Sequence, residues 1–294
     1  MYDPPPERPS ESDCCGTGCV PCVLDLYDEE YARWQRRQNS VGDQLRRDLL
    51  SVTKYKAYKI VSIQQLTDDV YKYTFGVSPP TEGRLPIIFT QHTNISVDYT
   101  PISLSDKCAF DAIIKVYPNG QFTKILLKKK TNDIIFVRGP SGGIDYKGYD
   151  SIVMFCGGTG IAAFLGLIRS ILENNKCDIL LRLHYSCKTL DSILMRKTLA
   201  EHAAYWNCAV FIYLSREHNW SECTKSFWFN ENIVEGRISQ DIIKDIVDKQ
   251  QNSKTLWLIC GNNAFNQYIF TSLKNYNARE DSIQLFHNTI INSE

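Results

Sequence analysis

Beyond Gly148 the chain repeats one pattern. The segments SIVMFC, DILLRLHY, AVFIYLS and TLWLIC are short and nearly all apolar, and SIQLF closes the series. Between them, IAAFLGLIRSILENN, DSILMRKTLAEHAAYW, ISQDIIKDIVDKQ and AFNQYIFTSLKNY carry apolar residues at helical spacing. A strand without polar alternation is buried on both faces, and helices between such strands cover those faces. This half therefore predicts an α/β domain with a parallel sheet.

From Lys54 to about Tyr146 the texture differs. Short runs rich in β-branched and aromatic residues (YKAYKIVSIQQL, VYKYTFGV, LPIIF, ISVDYTPISL, FDAIIKVY, DIIFVRG) alternate with turn signals such as Ser78-Pro79-Pro80, Gln91-His92-Thr93-Asn94 and Pro118-Asn119-Gly120. That predicts an antiparallel β-barrel or sandwich. A boundary near residue 148 follows, giving a β-domain over 51–147 and an α/β domain over 148–294, and 294 residues are enough for two domains. Lys plus Arg and Asp plus Glu both total 33, so no net basic field exists to gather nucleic acid. The most apolar stretch, Ile152 to Leu172, is broken by Gly157, Gly158, Gly160, Gly166 and Arg169, which argues against a membrane span. The first 20 residues lack a cationic start followed by an apolar run. With most of the 11 cysteines scattered, the expectation is a soluble chain with reduced thiols in the cytoplasm, organelle association left open.

Residues 1–50 form a third segment. The first 13 are proline-rich and polar and read as a tail. Between Asp25 and about Leu50, Leu26, Tyr27, Tyr31 and Trp34 fall at helical spacing beside abundant charge, which predicts a short amphipathic helix. Between tail and helix stand Cys14, Cys15, Cys19 and Cys22, with Gly16 and Gly18 tightening the loop. A C-x4-C-x2-C spacing matches three ligands of a two-iron cluster and also suits zinc; an inert thiol loop is the competing reading.

Four motifs can carry chemistry. Gly157-Gly158-Thr159-Gly160, with Cys156 before it, joins a buried strand to a helix, so its backbone N–H groups and the helix dipole can approach a phosphate closely. A tight turn that merely needs glycine would look the same. Cys260-Gly261-Asn262-Asn263 ends a strand of the same sheet, at the edge where such sheets bind ligands; Cys260 also reads as a small buried side chain. Tyr99-Thr100-Pro101-Ile102-Ser103 ends a β-domain strand, and Gly120-Gln121-Phe122-Thr123 opens a short helix. A ring to stack, hydroxyls and a glycine-led helix start suit a flat redox ring with a pyrophosphate tail. Singly they also read as core and cap residues.

Taken in order, these motifs resemble the ferredoxin-reductase superfamily and, within it, the NADH-cytochrome b5 reductase group. YTPIS is similar to the flavin motif Arg-x-Tyr-Thr/Ser-x-x-Ser, IIKVY to the strand after it, GQFT to Gly-Lys-Met-Ser and RGPSGGIDY to Arg-Gly-Pro-x-Gly. CGGTGIAAF is similar to Gly-Gly-Thr-Gly-Ile-Thr-Pro-Met, and CGNNAF to Cys-Gly-Pro-Pro-x-Met. DCCGTGCVPCVLDLYDEEYARW resembles the short oxidoreductase-like N-terminal domain. The resemblance implies an antiparallel β-barrel FAD domain followed by a parallel α/β NAD(P)H domain. Hydride would pass from nicotinamide to flavin, then single electrons to a haem protein such as cytochrome b5. Carried over, Tyr99, Thr100, Pro101 and Ser103 flank the flavin, and Gly120, Gln121, Phe122 and Thr123 hold its pyrophosphate. Lys115 and Tyr117 line the ring-side strand, and Gly157, Gly158, Thr159 and Gly160 form the nicotinamide-side loop. Cys260 with Gly261 sits against the nicotinamide, and Thr100, Lys115 and Cys260 fall nearest the reacting atoms.

Departures from the family pattern bear on the cofactors. Val97, beside Asp98, stands where the family has an arginine that neutralises a flavin phosphate. A lost charge-assisted contact costs roughly 1.5 to 3 kcal/mol, so a flavin-less scaffold working through the cysteine module is the rival to a reductase. Gln121-Phe122, Ala162-Ala163-Phe164 and Asn262-Asn263 also replace family residues. Ser215, followed by Arg216, stands where an acidic residue commonly selects NADH; NADH is the default and NADPH the alternative. The basic pairs Arg36-Arg37 and Arg46-Arg47 and the run Lys128 to Lys130 read as solvated charge or as a docking face for an acidic partner.

Overall fold

A computed structural model describes residues 9–10, 27, 31, 56–77, 95–97, 99–105, 109–137, 144–174, 177–286 and 290–292. The chain divides into two compact units, residues 1–57 with 136–141 and residues 58–135 with 142–294. In the first, Tyr27 and Tyr31 are helical, with rings stacked 5.7 Å apart as a four-residue spacing requires. The rest of the expected N-terminal helix, the tail, the four clustered cysteines and Asp98 lie outside the described residues.

The β-rich part is an antiparallel half-barrel. Its strands are β1 (Lys56–Thr67), β2 (Val70–Val77), β4 (Pro101–Ser105), β5 (Ala109–Lys115) and β6 (Ile134–Val137), in the order β4-β5-β2-β1-β6. A short ribbon joins β3 (Ile95–Val97) to β13 (Ile290–Asn292). Alternation sends Tyr58, Ile60, Tyr73, Phe75 and Phe110 inward, where Tyr58 meets Phe110 edge to face at 5.3 Å. Between β5 and β6, α1 (Gln121–Leu127) buries Thr123 and Leu126 and exposes Lys124. The segment ISVDYTPISL, read as one strand, is two: β3 and β4 are separated at 99–100, and the β4 pairing with β5 slips between Pro101 and Ser103, as a proline without an N–H would cause.

The second half is the expected parallel sheet. Strands β7 (Ser151–Gly157), β8 (Leu180–Cys187), β9 (Cys208–Leu214), β10 (Asn232–Glu235), β11 (Thr255–Cys260) and β12 (Ile283–Phe286) lie in the order β10-β9-β8-β7-β11-β12, every pair parallel. One face presents Ile152, Met154, Leu183 and Ile212 to α2 (Ala162–Leu172) and α3 (Arg196–Ala203). The other presents Val153, Phe155, Trp257 and Ile259 to α4 (Gln240–Asp248) and α5 (Asn263–Asn275). Burial on both faces is why these strands lack polar alternation.

Two elements differ from the reading of the sequence. The helix expected over DSILMRKTLAEHAAYW begins only at Arg196. Before it, Thr189 and Ser192 close a 3-10 turn through a reciprocal cap, and Met195 takes a left-handed φ of 56° that a continuous helix excludes. It stops at Ala203, leaving Trp206 in a turn with three-quarters of its surface exposed. Strand β10 was not anticipated: four residues followed by Gly236, whose φ is 92°, are too short to show a period.

The half-barrel and the parallel sheet share a core. Val70, Ile102 and Ile113 are buried with α2 and the α2-side face of the sheet, and a methyl group on Gly166 of α2 would lie 3.6 Å from the carbonyl oxygen of Pro101. The helix after the glycine loop is thus seated on the start of β4, directly after Tyr99-Thr100.

Candidate functional site

The chain leaves β7 through α2 to β8 on one side, and reaches β11 on the other only after β10 and α4. At such a reversal the loops after the two central strands part, and a crevice opens at their carboxyl ends. Here those ends are Cys156 and Cys260, direct partners in register.

Around the crevice, Gly157 to Ile161 turn from strand to helix. Gly157 precedes a 3-10 turn over Gly158–Ile161 and no side chain caps it, so no side chain occupies its leading N–H groups. Gly158 has φ 56°, and a side chain there would meet nothing within 4 Å. Gly160 is the opposite: a methyl group there would collide with the carbonyl carbon and oxygen of Cys260. At Gly261 it would lie 2.6 Å from the Phe265 ring. The two glycine motifs therefore close on each other backbone to backbone. Asn262, where the family has proline, caps α5 by accepting from the Phe265 N–H at 2.8 Å. Burial pushes the Cys260 thiol up to about 11, so near neutral pH it is an uncharged, partly buried wall and no thiolate.

On the half-barrel side, Tyr99 is partly buried and Thr100 exposed. The Tyr99 ring lies 5.8 Å from that of Phe122, so the YTPIS motif and the start of α1 adjoin. Burial, then the nearby Tyr117 and Tyr73, pushes the Tyr99 phenol well up, so it stays protonated. Gly120 leads α1 with no side-chain cap. A methyl group on Gly120 would strike the Thr123 hydroxyl, which donates to the Gly120 carbonyl at 3.2 Å. Thr123 is thus engaged in the turn, and the N–H groups beside it form the outward surface, with Gln121 exposed. Pro101 is partly buried under α2; Ser103 lies in β4. Lys115 ends β5 and pairs with Asp69 at 3.1 Å, its ammonium 5.7 Å from the centre of the exposed Tyr117 ring. Burial raises the Asp69 carboxyl, but the hydrogen bond and charge of Lys115 outweigh it and hold the group below the usual carboxylate range.

At the end of β9, Ser215 turns inward: its N–H and hydroxyl both donate to the Cys187 carbonyl, at 2.9 and 3.0 Å. The exposed Arg216 donates its N–H to the Lys188 carbonyl at 2.8 Å, which sets two cations at this edge. Lys188, whose charge also reaches Asp69, was missed in the sequence; it directly follows a strand, as ligand-side loops do. The structure thus gathers Gly157–Gly160 with Cys260 and Gly261, and Tyr99 with Phe122. Ser215 lies two strands away from β7.

The comparisons with known proteins bear on the whole chain. Residues 57–146 match the family described as oxidoreductase FAD-binding domain, 154–270 oxidoreductase NAD-binding domain, and 2–43 oxidoreductase-like protein, N-terminal. NADH-cytochrome b5 reductase-like of Homo sapiens is 31% identical over 96% of this chain and 94% of its own; the Mus musculus counterpart is 30% identical over 96% and 95%. The chain belongs to the NADH-cytochrome b5 reductase-like family. Among solved structures, the cytochrome b5 reductase domain of Ulva prolifera nitrate reductase superposes with a TM-score of 0.61 at 20% identity, over 81% of this chain and 99% of that one. A ferredoxin NADP+ reductase from Neisseria gonorrhoeae with bound FAD and NADP does so with 0.58 at 15%, over 80% and 98%. At that identity the likeness shows the ferredoxin-reductase-like fold.

FAD- and NAD-binding reductase domains are thus present, and the residues fit both groups. An uncapped glycine-led helix start adjoins the half-buried Tyr99, and a glycine cradle borders open space at Gly158. Among the described residues no group of three or more His, Cys, Asp or Glu could hold a metal, and no helix is long and apolar enough to cross a membrane.

Proposed function

We propose that the chain is an FAD-dependent NADH reductase, organised as 1–50, 51–147 and 148–294, that delivers electrons singly to a haem protein of the cytochrome b5 kind. The carrying observation is the closure of the Gly160 turn on the Cys260 backbone where the strand order reverses, with α2 seated on the start of β4, directly after Tyr99-Thr100. Bound FAD supplies the exchange between a two-electron donor and a one-electron acceptor. The protein's own contribution is positioning. The N–H groups of Gly158 to Gly160 meet a nucleotide phosphate, and those at the start of α1 meet the flavin pyrophosphate. Thr100 offers a hydroxyl to the flavin edge and Tyr99 a protonated ring. The neutral thiol of Cys260 packs against the nicotinamide without adding charge. Lys115, anchored by Asp69, keeps a cation beside the ring-side strand. NADH is the donor by relationship; Lys188 and Arg216 favour NADPH as the alternative.

Purified full-length protein given NADH under anaerobic conditions, with ferricyanide or cytochrome b5 as acceptor, tests the reading. Reduction of both is expected. Ferricyanide reduction alone would leave the reductase and remove the acceptor. Reduction of neither, after FAD is supplied, returns the rival scaffold that Val97 raises.

A further inference from the structure

We propose that a second ligand site, for a small carboxylate or phosphate oxyanion, lies between α4 and the β8–β9 face of the parallel sheet. A cleft of about 120 Å³ opens there, lined by Arg182, His184, Tyr213, Asp245, Lys249 and Gln250 among others. Ile242, Asp245, Ile246 and Lys249 recur at the three-to-four-residue spacing of one helix face, so α4 and the turn after it, with Gln250, make one wall. Strands β8 and β9 make the other.

His184 is 3% exposed, and its Nδ1 lies 3.0 Å from the Tyr213 hydroxyl. Its Nε2 is buried with no hydrogen-bond partner, and so is the Nε of Arg182 two residues earlier on the same face of β8. A buried polar atom without a partner costs about 1 to 3 kcal/mol, and these two belong to residues that line one cleft, so a bound group that reached them would recover that cost. The imidazole cannot turn away to satisfy itself. It is stacked between Phe155, 5.2 Å from it, and Phe211, 5.0 Å from it and within 6° of parallel.

The charges define the ligand. Asp245 is paired with Lys249 at 2.6 Å, whereas the Arg182 side chain makes no ion pair or hydrogen bond among the described residues, which leaves one net positive charge. Burial, then the charge of Arg182, pushes His184 down to about 3, so the ring is neutral at pH 7. When Nδ1 accepts from Tyr213, Nε2 carries the proton, and the cleft offers a guanidinium and an imidazole N–H to a monoanion. The groove has room for a group the size of acetate or phosphate. The site is distinct from the nucleotide crevice: it lies on the α4 face of the sheet, opposite α2.

The test uses full-length protein labelled with 15N-histidine, titrated separately with sodium acetate and with inorganic phosphate at constant ionic strength. The expected result is a saturable shift of the His184 Nε2 resonance with at least one anion. Saturation by acetate alone identifies a carboxylate site, by phosphate alone a phosphate site, and by both a general oxyanion site. Arg182→Gln should weaken binding about tenfold or more. Lys249→Gln, at an exposed position, should change affinity in the same direction by less, and serves if the arginine variant fails to fold. No saturable shift with either anion, or affinity unchanged in the folded variants, overturns the proposal.

Discussion

At Gly160 an added methyl group would enter the carbonyl of Cys260, and backbone on both sides leaves no flexible neighbour to yield. Gly160→Ala should therefore destabilise the protein by about 1 to 3 kcal/mol and raise the NADH dissociation constant about tenfold or more, with FAD content unchanged. Urea unfolding and a nucleotide titration measure the two effects; unaltered affinity would contradict the assigned loop. His184 gives a pH prediction. In the folded chain it is pushed down to about 3, below the ordinary histidine value of 6.5, so the unfolded chain binds the proton that the folded one refuses. Its contribution is complete above about pH 6.5 and is lost progressively as pH falls toward 3, to an extent of up to about 5 kcal/mol at 1.36 per unit. The urea midpoint should fall between pH 6.5 and 4, and His184→Phe should flatten that slope. At this scale the sequence showed which glycines matter, because a strand–glycine–helix junction announces a close approach. It did not show that Ser215 would turn inward on Cys187, since a side chain's choice between sheet edge and solvent depends on a strand 28 residues away.

Among the elements, those with a long, clear period were legible and those fixed by local turn chemistry were not. Helix α5 could be read from AFNQYIFTSLKNY, and its start is set by Asn262, whose side chain holds the Phe265 N–H. Asn262→Ala should cost about 1 kcal/mol and loosen Gly261, which abuts the Phe265 ring. A fall in thermal midpoint accompanied by weaker NADH binding is expected; stability loss with NADH affinity intact would uncouple the cap from the site. By contrast, α3 was overestimated because the apolar residues of DSILM mimic a helical period while Thr189, Ser192 and Met195 enforce a 3-10 turn and a left-handed residue. Strand β10 escaped because an edge strand of four residues carries little apolar signal.

In the whole molecule, the antiparallel half and the parallel half were separable by texture alone, but their shared core was not. Ile102 and Ile113 are ordinary strand residues in sequence, and only the fold reveals that they are buried with α2. That shared core seats α2, which follows the Gly157–Gly160 loop, against Pro101, which follows Tyr99-Thr100. In the proposed reductase, donor choice belongs further out, to the edge held by Ser215, Lys188 and Arg216. Ser215→Asp places a carboxylate beside two cations, and the ratio of NADH to NADPH turnover should rise severalfold; an unchanged ratio would show that this edge does not meet the ribose. The central claim is tested most directly by anaerobic titration of the purified full-length protein with NADH, followed by visible absorbance. The account predicts two flavin bands that bleach as roughly one equivalent of NADH is added. Protein that stays colourless after incubation with FAD, and leaves NADH unoxidised, would contradict it.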